Sequence, residues 1–187
     1  MVLVPAGKQL LDIEKVLGQH VGITSNMKVA DLGCGNGYNT IAAAKLVGGK
    51  GQVYAVDILK TALATVDQEA RRHNLNNIKT IWSDLEILGA TQIPEQSIDV
   101  ALVVHTLFQV KNIPDFIQET LRIVKPSGAI AVIDWHKNDL AVGPPPNHRI
   151  SEEEVKDAIG QVSGIKLAEE FNPGQYHYGL IYKKLQA

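Results

Sequence analysis

The ten most informative residues of this chain are Val29-Ala30-Asp31-Leu32-Gly33-Cys34-Gly35-Asn36-Gly37-Tyr38. The apolar start of this segment predicts a buried strand, and the three alternating glycines follow where a strand gives way to a helix. Glycine tolerates positive φ and lets a ligand approach the backbone, while a helix N-terminus presents unpaired N–H groups. The segment therefore predicts a loop that binds a polar ligand.

The spacing of this loop indicates the charge of its ligand. The glycines follow the pattern G-x-G-x-G with Asp31 two residues before it, and not the G-x-G-x-x-G of dinucleotide folds. A carboxylate beside the loop repels a diphosphate and attracts a cation. The sequence therefore favours a ligand that carries an ammonium group.

Short apolar runs continue on the C-terminal side of this loop. Buried strands are predicted at residues 29–32, 52–56, 78–82, 98–104 and 129–133. Helical spacing separates them: one apolar stripe comprises Leu59, Ala62, Leu63, Val66 and Ala70, and a second comprises Phe116, Ile117, Thr120, Leu121 and Val124. The second helix has Asn112 as its N-cap and ends at residues 126–128. Such alternation predicts an α/β domain, with a doubly wound parallel sheet and helices on both faces.

The two ends of the chain depart from this alternation. Leu10, Ile13, Leu17 and Val21 predict an amphipathic helix before the sheet. Ser151 and Glu154 form a capping box that starts a further helix after the fifth strand. Strands at 165–171 and 178–183 are then joined by the turn 172–174, which is too short for a helical crossover. The last two strands are therefore predicted to be antiparallel.

Length and charge limit the class of protein. With 187 residues we expect one domain, 1–187, in which residues 1–27 form an N-terminal helical segment and residues 137–150 a lid loop. Eighteen basic and 20 acidic residues give a net charge of −2, which lacks the broad basic footprint of a nucleic-acid-binding protein.

Cysteine content and hydropathy indicate the compartment. The one cysteine cannot form an internal disulfide, and the N-terminus does not read as a signal peptide. The longest apolar stretch, residues 100–110, is too short to span a membrane. We therefore expect no membrane span and a cytoplasmic location.

Two further carboxylates follow predicted strands. Asp57 ends the second strand, twenty residues after Gly37, where it can accept two hydrogen bonds from a ribose diol. Asp84 follows the third strand, where it can accept from an adenine amine or cap the turn at Leu85. Because parallel strands end at the same edge of a sheet, we expect these carboxylates to converge with Asp31.

Together these motifs resemble the class I S-adenosylmethionine-dependent methyltransferases. The resemblance rests on Asp31-x-Gly33-x-Gly35-x-Gly37, Asp57, Ser83-Asp84-Leu85, Asp99 and Leu121-Arg122-Ile123-Val124-Lys125-Pro126-Ser127-Gly128. Ser127 stands where the family often has glycine. Within the family the chain looks most like small soluble members similar to quinone-biosynthesis C-methyltransferases.

The resemblance implies a fold, a cofactor and a donor site. It implies a Rossmann-like sheet of seven strands with the last one antiparallel, S-adenosylmethionine as methyl donor and S-adenosylhomocysteine as product. The residues implied to bind the donor are Asp31, Gly33, Cys34, Gly35, Gly37, Asp57, Ile58, Asp84, Leu85 and His105.

Methyl transfer by in-line displacement needs a base only if the acceptor must first lose a proton. The candidate catalytic residues near the right strand ends are His105, His136 and Asp134, although His105 could equally be a core histidine. Arg149, after three prolines, is either an anion clamp or part of a spacer. The histidines lack metal-ligand spacing, so no metal site is predicted.

The acceptor is expected to be a small molecule, and three alternatives stay open. A macromolecular acceptor, protein or RNA, is one, although His105-Thr106-Leu107-Phe108 replaces the Asn/Asp-Pro-Pro-aromatic sequence of enzymes that act on base amino groups. A nicotinamide-dependent oxidoreductase and a regulatory module that binds the donor without turnover are the others. The sequence also leaves a homodimer open.

Overall fold

The computed structural model describes residues 11–138 and 142–185. It contains one seven-stranded sheet of order β3-β2-β1-β4-β5-β7-β6. The strands are β1 Lys28–Leu32, β2 Gln52–Asp57, β3 Ile78–Trp82, β4 Ile98–Val104, β5 Val124–Trp135, β6 Ile165–Gly174 and β7 His177–Lys184. The α/β fold with seven strands is therefore confirmed.

Helices cover both faces of this sheet. They are α1 Ile13–Lys15, which continues as a π-helical turn Val16–His20, α2 Tyr38–Val47, α3 Lys60–Arg72, α4 Ile113–Ile123 and α5 Glu152–Gly160, with 3₁₀ turns at Leu107–Gln109 and Pro146–His148. Within the described ranges, no helix has the length and apolar character needed to cross a membrane. Residues 1–10 of the predicted N-terminal helical segment, which include Leu10, and residues 139–141 of the predicted lid loop lie outside the described residues.

Strand directions match the prediction. β1 pairs in parallel with β2 and β4, β2 pairs in parallel with β3, and β4 pairs in parallel with β5. β7 is antiparallel to both β5 and β6, so the last strand is reversed as expected. The chain runs from β1 outwards through β2 to β3 and then crosses to the other side of β1 to form β4, which places a crevice at the carboxyl ends of β1 and β4.

The fifth strand begins earlier than predicted. Val124 already pairs with Ile98, while the next paired residues are Val100 and Ala129, so residues 125–128 bulge out between the two pairs. Asp99 holds this bulge because it accepts hydrogen bonds from the Lys125 ammonium at 2.6 Å and from the Lys28 N–H at 2.8 Å. The predicted helix end at residues 126–128 is therefore wrong, since α4 already ends at Ile123.

The final hairpin turns later than predicted. Residues 172–174 belong to β6, because Gly174 pairs with His177. The Asn172 side chain accepts the N–H of Gly174 at 2.8 Å, a local bond that replaces a ladder bond where the register shifts. The two residues that reverse the chain are 175 and 176, and the predicted turn at 172–174 is wrong.

The predicted helix faces are largely confirmed. In α3 the apolar side chains at 62, 63, 66 and 70 are buried, but Leu59 precedes the helix and is exposed. The α4 N-cap is Asn112, whose side chain accepts the N–H of Asp115. In α5 both bonds of the capping box form between Ser151 and Glu154, at 3.2 and 2.7 Å. These signals are local, which is why the sequence alone reveals them.

Two hydrophobic clusters lie on opposite faces of the sheet. α4 and α5 pack over the first, and α1 and α2 pack over the second. Phe171 of β6 joins the second cluster, where its ring stacks on His20 and lies over the backbone of Gly179 in β7. Gly179 therefore provides the space in which the Phe171 ring connects the final hairpin to the N-terminal helix.

We expect Gly179→Ala to destabilise the fold by about 1–3 kcal/mol, because its Cβ would overlap the Phe171 ring. The matched control is Gly160→Ala at the end of α5, where an added Cβ meets no atom within 4 Å and should stabilise slightly. The measurement is the free energy of unfolding in urea. Equal stability of the two variants would contradict this role of Gly179.

Candidate active site

A cleft of about 510 Å³ lies at the carboxyl ends of β1, β2, β3 and β4. Eight of the ten predicted donor-binding residues line it: Gly33, Cys34, Gly35, Asp57, Ile58, Asp84, Leu85 and His105. The other two, Asp31 and Gly37, are not among its lining residues. The fold therefore gathers most of the predicted donor site into one cavity.

The three positions of the loop require glycine for different structural reasons. At Gly33 (φ +79°) an added Cβ would lie 2.5 Å from Thr106 Cγ2, and at Gly37 (φ +85°) it would lie 2.8 Å from Val66 Cγ2. At Gly35 (φ +51°) it would meet no atom within 4 Å. Gly33 and Gly37 thus allow close packing, while Gly35 leaves an open backbone surface on the cleft, as a bound ligand requires.

The Asp57 carboxylate holds this loop in place. Its Oδ2 accepts the N–H of Gly35 at 2.9 Å, and its Oδ1 accepts the N–H of Leu59 at 2.9 Å. A carboxylate has about four acceptor positions, so these bonds leave capacity for a further ligand such as a diol. Asp57 therefore combines a structural role in the loop with a place in the cleft.

Asp31 is buried next to the loop, with 1% of its surface exposed. Its Oδ2 accepts the hydroxyl of Thr40 at 2.5 Å, but its Oδ1 has no hydrogen-bond partner among the described residues. Burial raises the pKa of Asp31 to about 6, and the nearby charge of Asp57 acts in the same direction. An unpartnered carboxylate oxygen beside an open loop fits a ligand that carries an ammonium group.

Cys34 contributes mainly its backbone to the loop, since its thiol makes only a weak hydrogen bond, from Sγ to the carbonyl oxygen of Gly35 at 3.7 Å. Its N–H donates to the carbonyl of Val56 at 3.0 Å, and the neighbouring N–H of Gly33 donates to the same oxygen at 2.9 Å. The residue is 4% exposed, and burial raises the pKa of its thiol well above the usual range. The thiolate needed for nucleophilic chemistry is thus strongly disfavoured.

Asp84 caps a turn and also lines the cleft. Its Oδ1 accepts the N–H of Glu86 at 2.9 Å, whereas its Oδ2 is not used by that turn. The two interpretations left open by the sequence, a capping residue and a ligand-binding residue, are therefore compatible.

His105 is held in a strained and largely buried position. Its φ is +55°, which is uncommon for a residue with a side chain. Its N–H donates to the carbonyl oxygen of Ile133 at 2.9 Å. The ring stacks on Trp135 at 5.3 Å and lies 5.0 Å from His177, between centroids. His105 Nε2 has no partner among the described side chains, and burial lowers the pKa of the ring to about 4. At neutral pH His105 is thus a neutral imidazole on the wall of the cleft.

Asp134 and His136 do not line this cleft. His136 borders a separate cavity of about 250 Å³, together with His177 and Tyr178. Asp134 is 1% exposed, and burial raises its pKa to about 7. Its Oδ1 accepts the N–H of Trp135, while its Oδ2 is unpartnered within residues 11–138 and 142–185.

Arg149 has a structural role. Its guanidinium donates to the carbonyl oxygens of His136, Asn138, Val142 and Pro144 at 2.7–3.0 Å. This side chain therefore holds the segment after β5 together. Because these carbonyl groups already engage the guanidinium, the structure favours a structural role for Arg149 over the anion clamp.

Other residues of the cleft were not identified from the sequence. They are Asn39, Leu59, Ser83, Glu86, Val104, Thr106, Gln109, Val110, Lys111 and Phe116. Most of them lie within a few residues of a predicted strand end. Their proximity in sequence to Asp84 and His105 could therefore have indicated that they line the cleft. Phe116 lay instead in a stripe that predicted only core packing.

Comparison with known proteins adds three similarities. A family model described as "Methyltransferase domain" matches residues 23–183. A demethylmenaquinone methyltransferase of Geobacillus sp. (strain WCH70) is 28% identical over 125 residues, which cover 65% of this chain and 51% of that protein. A 2-phytyl-1,4-naphtoquinone methyltransferase of Trichormus variabilis is 32% identical over 108 residues, which cover 57% of this chain and 46% of that protein. The chain thus spans about half the length of these curated relatives.

A solved structure resembles nearly the whole chain. The crystal structure of a SAM dependent methyltransferase from Aquifex aeolicus is 29% identical and superimposes with a TM-score of 0.87. The match covers 94% of this chain and 91% of that one.

Asp31→Asn should stabilise the ligand-free protein at pH 7 and weaken its binding of S-adenosylhomocysteine at least tenfold. Because the folded-state pKa is raised to about 6, ionising Asp31 disfavours the fold, and this cost grows as pH rises from about 4 to about 6. The variant's gain in unfolding free energy should be at most about 3 kcal/mol at pH 7 and vanish near pH 4. Thermal unfolding and calorimetric titration test this; tighter binding by the variant would contradict it.

Proposed function

The chain belongs to the methyltransferase domain family, and on this basis we propose that it transfers the methyl group of S-adenosylmethionine to a small-molecule acceptor. The observation that carries the proposal is the cleft, in which the open backbone of Gly35 meets the carboxylates of Asp57 and Asp84. S-adenosylmethionine carries its methyl group on a positively charged sulfur. The acceptor attacks the methyl carbon in line with the carbon–sulfur bond, and S-adenosylhomocysteine leaves.

We assign the donor site to the residues implied by the resemblance. Asp57 accepts from the ribose hydroxyls with the capacity that its two backbone bonds leave. Asp84 and Leu85 receive the adenine, and Ile58 packs against it from the end of β2. Asp31, which is buried next to the loop and does not line the cleft, attracts the ammonium group through its negative charge.

The acceptor side of the site is assigned to the end of β4. His105 lines the cleft as a neutral imidazole. Its Nε2, which is buried and without a partner among the described residues, is the atom that would take a proton from an acceptor hydroxyl or ring carbon once the acceptor reaches the ring. Stacking on Trp135 and a tilted contact with His177 fix the ring, so that its orientation need not be established during the reaction. His136 and Asp134, outside the cleft, are second candidates for this proton transfer.

A quinone-type aromatic ring is the acceptor that the relatives favour. Two of them are named for methylation of demethylmenaquinone and of 2-phytyl-1,4-naphtoquinone. The reduced form of such a ring carries phenolic hydroxyl groups, and the neutral His105 imidazole has a free acceptor position for a proton from one of them. The 510 Å³ cleft is within the range of small-molecule sites.

We also propose that residues 1–187 act as one domain and that residues 137–150 form a lid on the acceptor side. Two packing contacts support the lid. An added Cβ at Gly143 would lie 2.7 Å from the Trp135 ring, so the backbone of Gly143 packs closely against that indole. The His148 ring stacks on Phe108, which follows β4, at 6.2 Å between centroids.

Methyl-labelled donor tests the proposed reaction. The purified protein is incubated with it and, in separate arms, a reduced demethylated naphthoquinone, a metabolite extract, total RNA and a protein extract. Label in a small-molecule product supports the proposal. Label only in RNA or protein overturns the acceptor class, and binding of S-adenosylhomocysteine without any transfer overturns the reaction.

At saturating donor, His105→Asn should lower the initial rate of labelled product formation about 100-fold, a loss that weaker donor binding cannot produce under these conditions. Asparagine tolerates the positive φ at this position, so the backbone of the loop is retained. The rate comes from product label, and the donor affinity that defines saturation comes from calorimetric titration. An unchanged rate would contradict the role of His105 as the base.

A further inference from the structure

The segment from residue 83 to residue 97, between β3 and β4, contributes to the cleft at one end only. Asp84, Leu85 and Glu86 line the cleft, while residues 89–93 are held against α4. The segment contains neither helix nor strand, so its shape depends on contacts made by its side chains and backbone with other elements.

The main contact is made by Glu119 of α4, a fully buried carboxylate with 0% exposure. Its Oε2 accepts the N–H of Gly89 at 2.7 Å, and its Oε1 accepts the hydroxyl of Thr91 at 2.5 Å. Arg122, one helical turn later, donates from Nε and Nη2 at 2.7 and 2.8 Å. Every bond of this carboxylate therefore goes either to the segment or to its own counter-ion.

Arg122 extends the same contact. Its Nη1 donates to the carbonyl of Ile93 at 2.9 Å, and its Nη2 donates to the hydroxyl of Thr91 at 3.1 Å. Burial alone would raise the pKa of Glu119, but the hydrogen bonds from Arg122, Thr91 and Gly89 outweigh burial and lower it. The pair thus stays ionised and bonds to residues 89, 91 and 93 of the segment.

α4 also contacts the cleft end of the segment. The N–H of its N-cap Asn112 donates to Glu86 Oε2 at 2.6 Å, and Phe116 lines the cleft itself. The carboxylate that caps the turn after β3, Asp84, lies between β3 and this anchored part of the segment. α4 therefore anchors the segment both at residues 89–93 and at Glu86, whose N–H bonds to the Asp84 carboxylate at 2.9 Å.

We propose that Glu119 is a positioning residue for the methyl donor: through Gly89, Thr91 and Arg122 it fixes the segment that carries Asp84 and Leu85 in the cleft. The inference rests on the proposed donor role of Asp84. A buried ion pair is often no more stabilising than apolar side chains of the same volume. The specific bonds of Glu119 therefore give it a role in geometry that an apolar residue would not have.

The test is a double-mutant cycle on binding of S-adenosylhomocysteine, which is measured by calorimetric titration at a temperature where every variant is folded. Glu119→Gln should weaken binding about 5- to 20-fold. Asp84→Asn should weaken it in the otherwise unchanged protein, and by a clearly smaller factor when Glu119→Gln is also present, because a displaced Asp84 has less to lose.

The matched control is Asp99→Asn. It also converts an ion-paired carboxylate to an amide, here one paired with Lys125 at 2.6 Å, but at the amino-terminal end of β4, whereas the cleft lies at the carboxyl end of that strand. It should lower the unfolding temperature and change binding less than twofold. If Asp99→Asn weakens binding as much as Glu119→Gln, loss of stability explains both and the inference is wrong.

Two results separate this inference from the proposed function. If Asp84→Asn alone leaves binding unchanged, the donor role of Asp84 fails, and the inference fails with it. If Asp84→Asn weakens binding but its effect is the same with and without Glu119→Gln, only the inference fails. Should Glu119→Gln not fold, Thr91→Val takes its place in the cycle: it removes one hydroxyl at similar volume, with an expected two- to fivefold loss, and full additivity again overturns the inference.

Discussion

The bond between the Asp57 carboxylate and the Gly35 N–H is the interaction on which the site depends. It ties the loop after β1 to the end of β2, and the second oxygen of the same carboxylate binds Leu59 just before α3 begins. With the bonds from Gly33 and Cys34 to Val56, it gives a glycine-rich segment one conformation. An open backbone surface at Gly35 is useful to a ligand only because the surrounding loop is fixed in this way.

The sequence predicts features whose causes are local or periodic. Glycine spacing, the caps at Asn112 and Ser151, and the apolar stripes of the helices depend on residues within a few positions, and the structure confirms these elements. Parallel strand order then brings Asp57 and Asp84 to one edge although 27 positions separate them in the chain. The donor side was therefore largely predictable.

Features set by distant partners were not predictable. The β5 bulge depends on Asp99, from a strand that precedes α4, and the hairpin turn depends on how Gly174 pairs with His177. Arg149 was a candidate for anion binding because nothing in the sequence indicates that its guanidinium binds four backbone carbonyl groups. Glu119 was not singled out, since a glutamate in an amphipathic helix is normally a solvent-exposed residue.

The one cysteine of the chain gives the glycine loop an experimental reporter. Because the Cys34 side chain is buried and its pKa is raised, a thiol-specific alkylating reagent can react only after the loop opens or the domain unfolds. The rate of alkylation therefore measures how often the loop opens, on native protein and without any acceptor. A ligand that binds at Gly35 would slow the alkylation of Cys34. Its affinity for the loop can then be measured from the mass change of this one residue.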